Sequence, residues 1–197
     1  MFFLMYIVDI GHTAIMIPLA GTIAAWLVTN REWKIAFCWC LMFAFGLSIV
    51  ALSKIAFLGW GLEMQFMDFK ALSGHAFRAT VVLPTLFYIA LQDASMRWRR
   101  VGLLLGVLVS ITVALLLIIF NFHTPSEVVI TCFFGVIIDV AFIRFAGALH
   151  KANGSPWAIP VSIFTFIVIH SLKPSLINPR LVDVALFLSG REYPYRW

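Results

Sequence analysis

Two short polar breaks in an apolar chain carry the residue types that handle phosphate. Leu72-Ser73-Gly74-His75 stands just before an apolar run, and about fifty residues on Asn121-Phe122-His123-Thr124-Pro125-Ser126-Glu127 interrupts the pattern again. The Ser73 hydroxyl and the amides of Gly74 and His75, at the start of a helix, can all donate to an anion, which the positive end of the helix dipole also favours. His123 and Glu127 are spaced i, i+4. A helix therefore sets the carboxylate one turn from the imidazole, where it can fix the tautomer that leaves the other ring nitrogen able to attack. Lys54 offers a fixed positive charge. Arg78, at i+3 from His75, can raise its guanidinium toward the same place. On one side of a membrane the two breaks would make one site.

The elements that must position them are apolar helices. The chain has 197 residues, is 62% hydrophobic and 12% charged, and has a mean hydropathy of +1.01, far from the balance of a soluble domain. The expected fold is all-α, a single integral membrane helical bundle. At roughly 20 residues per span there is room for about six transmembrane helices. Residues 1–12 read as an interfacial segment with a break at Asp9, Gly11 and His12, residues 13–172 as the six-span bundle, and residues 173–197 as a tail. The expected spans are 13–28, 35–52, 75–92, 101–120, 126–149 and 157–169, with Ser53 and Lys54 closing the second and a polar loop joining Lys54 to Leu72. Pro84 falls inside span three, where neighbouring helices can satisfy the freed backbone groups. A short amphipathic stretch covers Leu181 to Leu188 in the tail.

Charge assigns the sides. Arg31 and Lys34, then Arg97, Arg99 and Arg100, then Arg144, His150 and Lys151 follow spans one, three and five. The positive-inside rule puts those turns in the cytoplasm and both polar breaks outside. The tail, with Lys173, Arg180, Arg191 and Arg196, departs mildly from the rule. A net charge of +5 spread over such flanks is topology information and does not point to nucleic acid. The 19 Phe and 7 Trp read as lipid-facing and interfacial anchors. Met1 to Ile7 lacks the basic start of a cleavable signal peptide. Cys38, Cys40 and Cys132 form no pairing motif and read as small apolar residues.

Lys54, then Ser73-Gly74-His75, then His123 with an acid four residues later, in that order and at those helix ends, resembles the type 2 phosphatidic acid phosphatase superfamily. Its pattern is Lys-x6-Arg-Pro, then Pro-Ser-Gly-His, then Ser-Arg-x5-His-x3-Asp. The similarity runs from about Lys54 to Gly135, and Asp9-Ile10-Gly11-His12-Thr13-Ala14 and Phe69-x-x-Leu72-Ser73-Gly74-His75-Ala76 look like bacterial members. The resemblance implies that His123 is a nucleophile forming a phosphohistidine, that His75 protonates the leaving oxygen, and that Glu127 orients His123. Lys54, Ser73 and Gly74 would then hold the phosphate. It also implies metal-independent chemistry with no cofactor, a phosphorylated membrane lipid or polyprenyl phosphate as partner in the bilayer, and a place in a bacterial inner membrane with the site facing outward.

The chain departs from the pattern where the phosphate clamp belongs. Gly61 and Leu117 stand where its two arginines belong, and Leu72 replaces the proline before Ser73. Glu127 is a longer arm than the usual aspartate. Each lost bidentate contact is worth about 1.5 to 3 kcal/mol, and Arg78 is the expected replacement for part of that clamp. The missing arginines leave open a member that binds or senses a phosphorylated lipid without turning it over, and a transporter or scaffold on the same fold. His12, His150 and His170 read as ordinary polar residues at helix ends. Asp139, about 18 Å below Glu127 along a helix, reads as one half of a structural pair. Glu63 and Asp68 lie beside Lys70 in the outer loop without metal-ligand spacing.

Overall fold

The computed structural model describes residues 2–149, 154–174 and 177–195. Eight α-helices follow in order: α1 Phe2–Ile10, α2 Thr13–Thr29, α3 Trp33–Trp60, α4 Gly74–Ala90, α5 Met96–Ile119, α6 Pro125–Leu149, α7 Ala158–Ser171 and α8 Ile177–Ser189. Among the described residues no strand forms beyond an isolated antiparallel bridge between Met64 and Phe69. The all-α bundle is as the composition requires.

Helix α4 is the hub. Nearly every residue from Gly74 to Ile89 is buried, and three neighbouring helices approach it through glycines. A Cβ on Gly46 of α3 would come within 2.2 Å of the Phe77 ring, one on Gly106 of α5 within 2.6 Å of Pro84 Cα, and one on Gly135 of α6 within 3.0 Å of Thr80. Small residues at crossings are how helices gain packing where lipid removes the hydrophobic drive between them. Around these crossings lie Trp39, Phe43, Phe77 and Phe142, all buried. Trp39 also donates from Nε1 to Ala20 O at 2.9 Å, tying α3 to α2.

The outer faces are apolar too. Phe37, Phe45, Leu104 and Phe133 are all more than half exposed, a belt that water would not tolerate at this extent and that lipid covers. Helices α3, α5 and α6 are long and apolar enough to cross a membrane, and α1 with α2, bent by 45° at Gly11-His12, would make a fourth crossing. The protein is therefore a membrane protein. Among the described residues the expected count of six is not reached on length and composition. Helix α4, with 17 residues and Arg78, stands at the lower limit of about 17 residues for a crossing, and α7 has only 14.

Two boundaries differ from expectation. Helix α3 does not close at Ser53-Lys54 but continues to Trp60, because nothing breaks it before Gly61, whose left-handed φ of 65° caps it. Lys54 thus lies within a helix and not at its end. The extra turns are held by Phe57 and Leu58, which pack with Ala71 and with Ala185 of α8. The tail is therefore structured: α8 lies along the end of α3, and Tyr195 N donates to Leu58 O at 3.0 Å.

The antiparallel order gathers the α1–α2 bend, residues 61–73, the α5–α6 turn and α8 at one end. Arg31, Lys34, Arg97, Arg99 and Arg100 gather at the other, where Ser155 N donates to Asn30 Oδ1 at 2.8 Å. His150, Lys151 and Arg196 lie outside the described residues.

Candidate active site

The two polar breaks meet through one carboxylate. Glu127, in the first turn of α6 and only 1% exposed, accepts from His123 Nδ1 through Oε2 at 2.6 Å. Its other oxygen, Oε1, accepts from the amides of Lys70 and Ala71 at 3.1 and 3.4 Å. The Thr124 amide adds a bond to Oε2 at 3.4 Å. With Glu127 ionised, Nδ1 carries the ring proton, and the Nε2 lone pair of His123 is the nucleophilic one. The same carboxylate fixes the residues that lead into Ser73-Gly74-His75.

That turn is held from three further sides. Leu72 N donates to Ser53 Oγ at 3.1 Å, Ser73 N to Thr131 Oγ1 at 2.9 Å, and the Thr124 hydroxyl to Asp68 O at 2.8 Å. Ser73 is the N-cap of α4, its Oγ accepting from Ala76 N at 3.3 Å. A capping hydroxyl still has its own proton to donate. Gly74 leaves room for the guanidinium: a Cβ there would sit 2.9 Å from Arg78 Nη1 and would displace it.

Arg78 turns back toward the start of its own helix. It is 5% exposed, and Nη2 donates to Gly11 O at 3.2 Å while Nε has no partner. Thr13 Oγ1 is likewise buried without a partner. Arg78, Thr13, Lys54 and Gly74 line one cavity of about 210 Å³, whose other walls are Ile17, Leu47, Ser48, Val50, Ala51 and Leu181. Orphaned buried donors ordinarily mark a missing partner. Here that partner would be polar and negative, since two cationic side chains share the space.

His75 stands among basic side chains. Arg78, His12, Lys54 and His123 all act on it electrostatically, and Glu127 acts on Lys54. Of the site residues expected from the sequence, Lys54, Gly74 and Arg78 line the cavity, and Ser73, His75, His123 and Glu127 stand at the same end of the bundle beside it. Among the described residues no group of three His, Cys, Asp or Glu is arranged to hold a metal.

No family model and no solved structure matches the chain. It is similar to an uncharacterized 22.5 kDa protein in the cps region of Klebsiella pneumoniae, with 24% identity over 194 residues, 94% of this chain and 91% of that protein.

One residue that sequence reasoning set aside belongs here. The His12 ring lies 5.6 Å from that of His75, centroid to centroid. Its signal was present, a Gly-His pair interrupting the first apolar run, but nothing in the spacing tied it to residues more than sixty positions later. His170, on the exposed side of α7, bonds Ala14 O through Nδ1 at 2.9 Å and stacks on Phe166. Asp139 accepts from Thr85 Oγ1 at 2.7 Å, the interhelical pair expected of it.

Proposed function

We propose that this protein is a membrane phosphatase of the type 2 phosphatidic acid phosphatase kind, hydrolysing a phosphorylated lipid or isoprenoid without a metal. His123 Nε2 attacks phosphorus, the bond to the leaving oxygen breaks, and His75 delivers the proton that oxygen needs. Water then hydrolyses the phosphohistidine. Lys54, Arg78, the Ser73 hydroxyl and the amides at the start of α4 neutralise charge on the phosphoryl oxygens, which is most of what phosphoryl transfer asks of a protein. The observation that carries this reading is the Glu127 carboxylate, which orients His123 with one oxygen and anchors the Ser73-Gly74-His75 turn with the other. The arginine-rich end faces the cytoplasm on this reading, so the site opens outward from a bacterial inner membrane and the chains stay in lipid.

Phosphate release in proteoliposomes tests it. Phosphatidic acid, phosphatidylglycerophosphate, polyprenyl pyrophosphate and phosphorylated lipid A form the panel. At least one should be hydrolysed by the wild type and by neither His75→Ala nor His123→Ala; release from none of them contradicts the reading.

A second reading, binding without turnover, draws on Gly61 and Leu117. Gly61 caps α3 against the Tyr195 ring, and Leu117 is 1% exposed in α5, so neither place offers the site a guanidinium. Lipid phosphate binding that persists in His123→Ala, with no release by the wild type, supports it.

A further inference from the structure

We infer that His12 is a direct ligand of the phosphoryl group, supplying from the α1–α2 bend a donor that the arginine positions do not. The inference rests on the anion site described above and extends it to a third element. His12 is the N-cap of α2, and its Nδ1 accepts from Ala14 N at 3.2 Å. An Nδ1 that accepts carries no proton, so in the neutral ring the proton is on Nε2, which becomes a donor.

The bend brings that ring to the site. Gly11 O accepts from Arg78 Nη2 at 3.2 Å, and a Cβ on Gly11 would lie 3.5 Å from His75 Cβ. The next residue, Thr13, puts an unpartnered hydroxyl into the cavity that Lys54 and Arg78 line. Three consecutive residues of the bend therefore touch the site: a carbonyl that holds the arginine, a ring facing His75, and an orphaned hydroxyl. A cap alone explains Nδ1. It does not explain why a histidine, with a donor at its far end, occupies a position that serine or asparagine fills as well.

Two substitutions separate the roles. His12→Asn keeps a short acceptor for the cap and removes the distal donor, whereas His12→Gln keeps a distal N–H and weakens the cap. The full chain in detergent is titrated with inorganic phosphate by calorimetry, its thermal midpoint is recorded, and KM and kcat are measured on whichever lipid phosphate the wild type hydrolyses. A hydrogen bond to a charged partner accounts for about ten-fold or more in affinity. His12→Asn should therefore weaken phosphate binding and raise KM by at least that factor at an unchanged midpoint, and His12→Gln should lower the midpoint while keeping most of the affinity. Wild-type affinity in His12→Asn overturns the inference. So does a wild type that binds no phosphate. A wild type that binds phosphate but hydrolyses no lipid sinks the phosphatase reading alone, and the two variants still decide the role of His12.

Discussion

Helix α4 carries two buried polar places, and they are built on opposite principles. In its middle, Thr85 donates to Asp139 at 2.7 Å and the pair is buried between α4 and α6. At its start, Ser73, Gly74, His75 and Arg78 meet Lys54, His12, His123 and Glu127, and there buried donors stand without acceptors. The first place answers its own polar demand, as a structural pair in lipid must. The second holds an excess of positive charge around a cavity. Burial of a polar group does not distinguish structure from function; whether its partners are already present does.

Substitutions at the two places should separate accordingly. His123→Ala should abolish turnover, and His75→Gln should lower it by about 10²- to 10⁴-fold, the range of general acid catalysis; lipid phosphate release measures both. Glu127→Gln should cost on the order of 10²-fold or more in kcat, because an amide offers one accepting oxygen where the carboxylate uses two. Arg78→Lys should weaken inorganic phosphate affinity by about ten- to a hundred-fold, a point charge replacing a planar fork. Wild-type affinity in that variant would remove Arg78 from the clamp. Gly106→Ala, which drives a methyl into the Pro84 backbone, should lower stability by about 1 to 3 kcal/mol in thermal unfolding. Smallest of all, Thr85→Val should cost about 0.6 kcal/mol, the typical worth of an interhelical hydrogen bond in a bilayer, and leave turnover as it was. A Thr85→Val protein that loses phosphate release would dissolve the distinction between the two places.

Much of this was legible in the sequence because its signals are local. Apolar runs bounded by Arg31, Arg97 and the break at His123 define helices, and His123 with Glu127 form a pair by helical spacing alone. The Ser73-Gly74-His75 cap was legible for the same reason. What the sequence concealed depends on long-range packing. The extension of α3 past Lys54 is held by Ala71 and Ala185, which no window around Lys54 contains. The 45° bend that carries His12 toward His75 lies where α1 packs against α5, far away in sequence. Hydropathy also could not foresee that α4 is the central helix of the bundle, with nearly all of its residues buried against its neighbours.

The central claim is that His123 is a nucleophile held by Glu127, and one labelling experiment meets it directly. A lipid phosphate carrying ³²P, mixed with the full chain and quenched in base within a turnover, should leave an acid-labile, base-stable label on His123 that disappears in His123→Ala. Turnover without any such label, or a label that survives in His123→Ala, would contradict it.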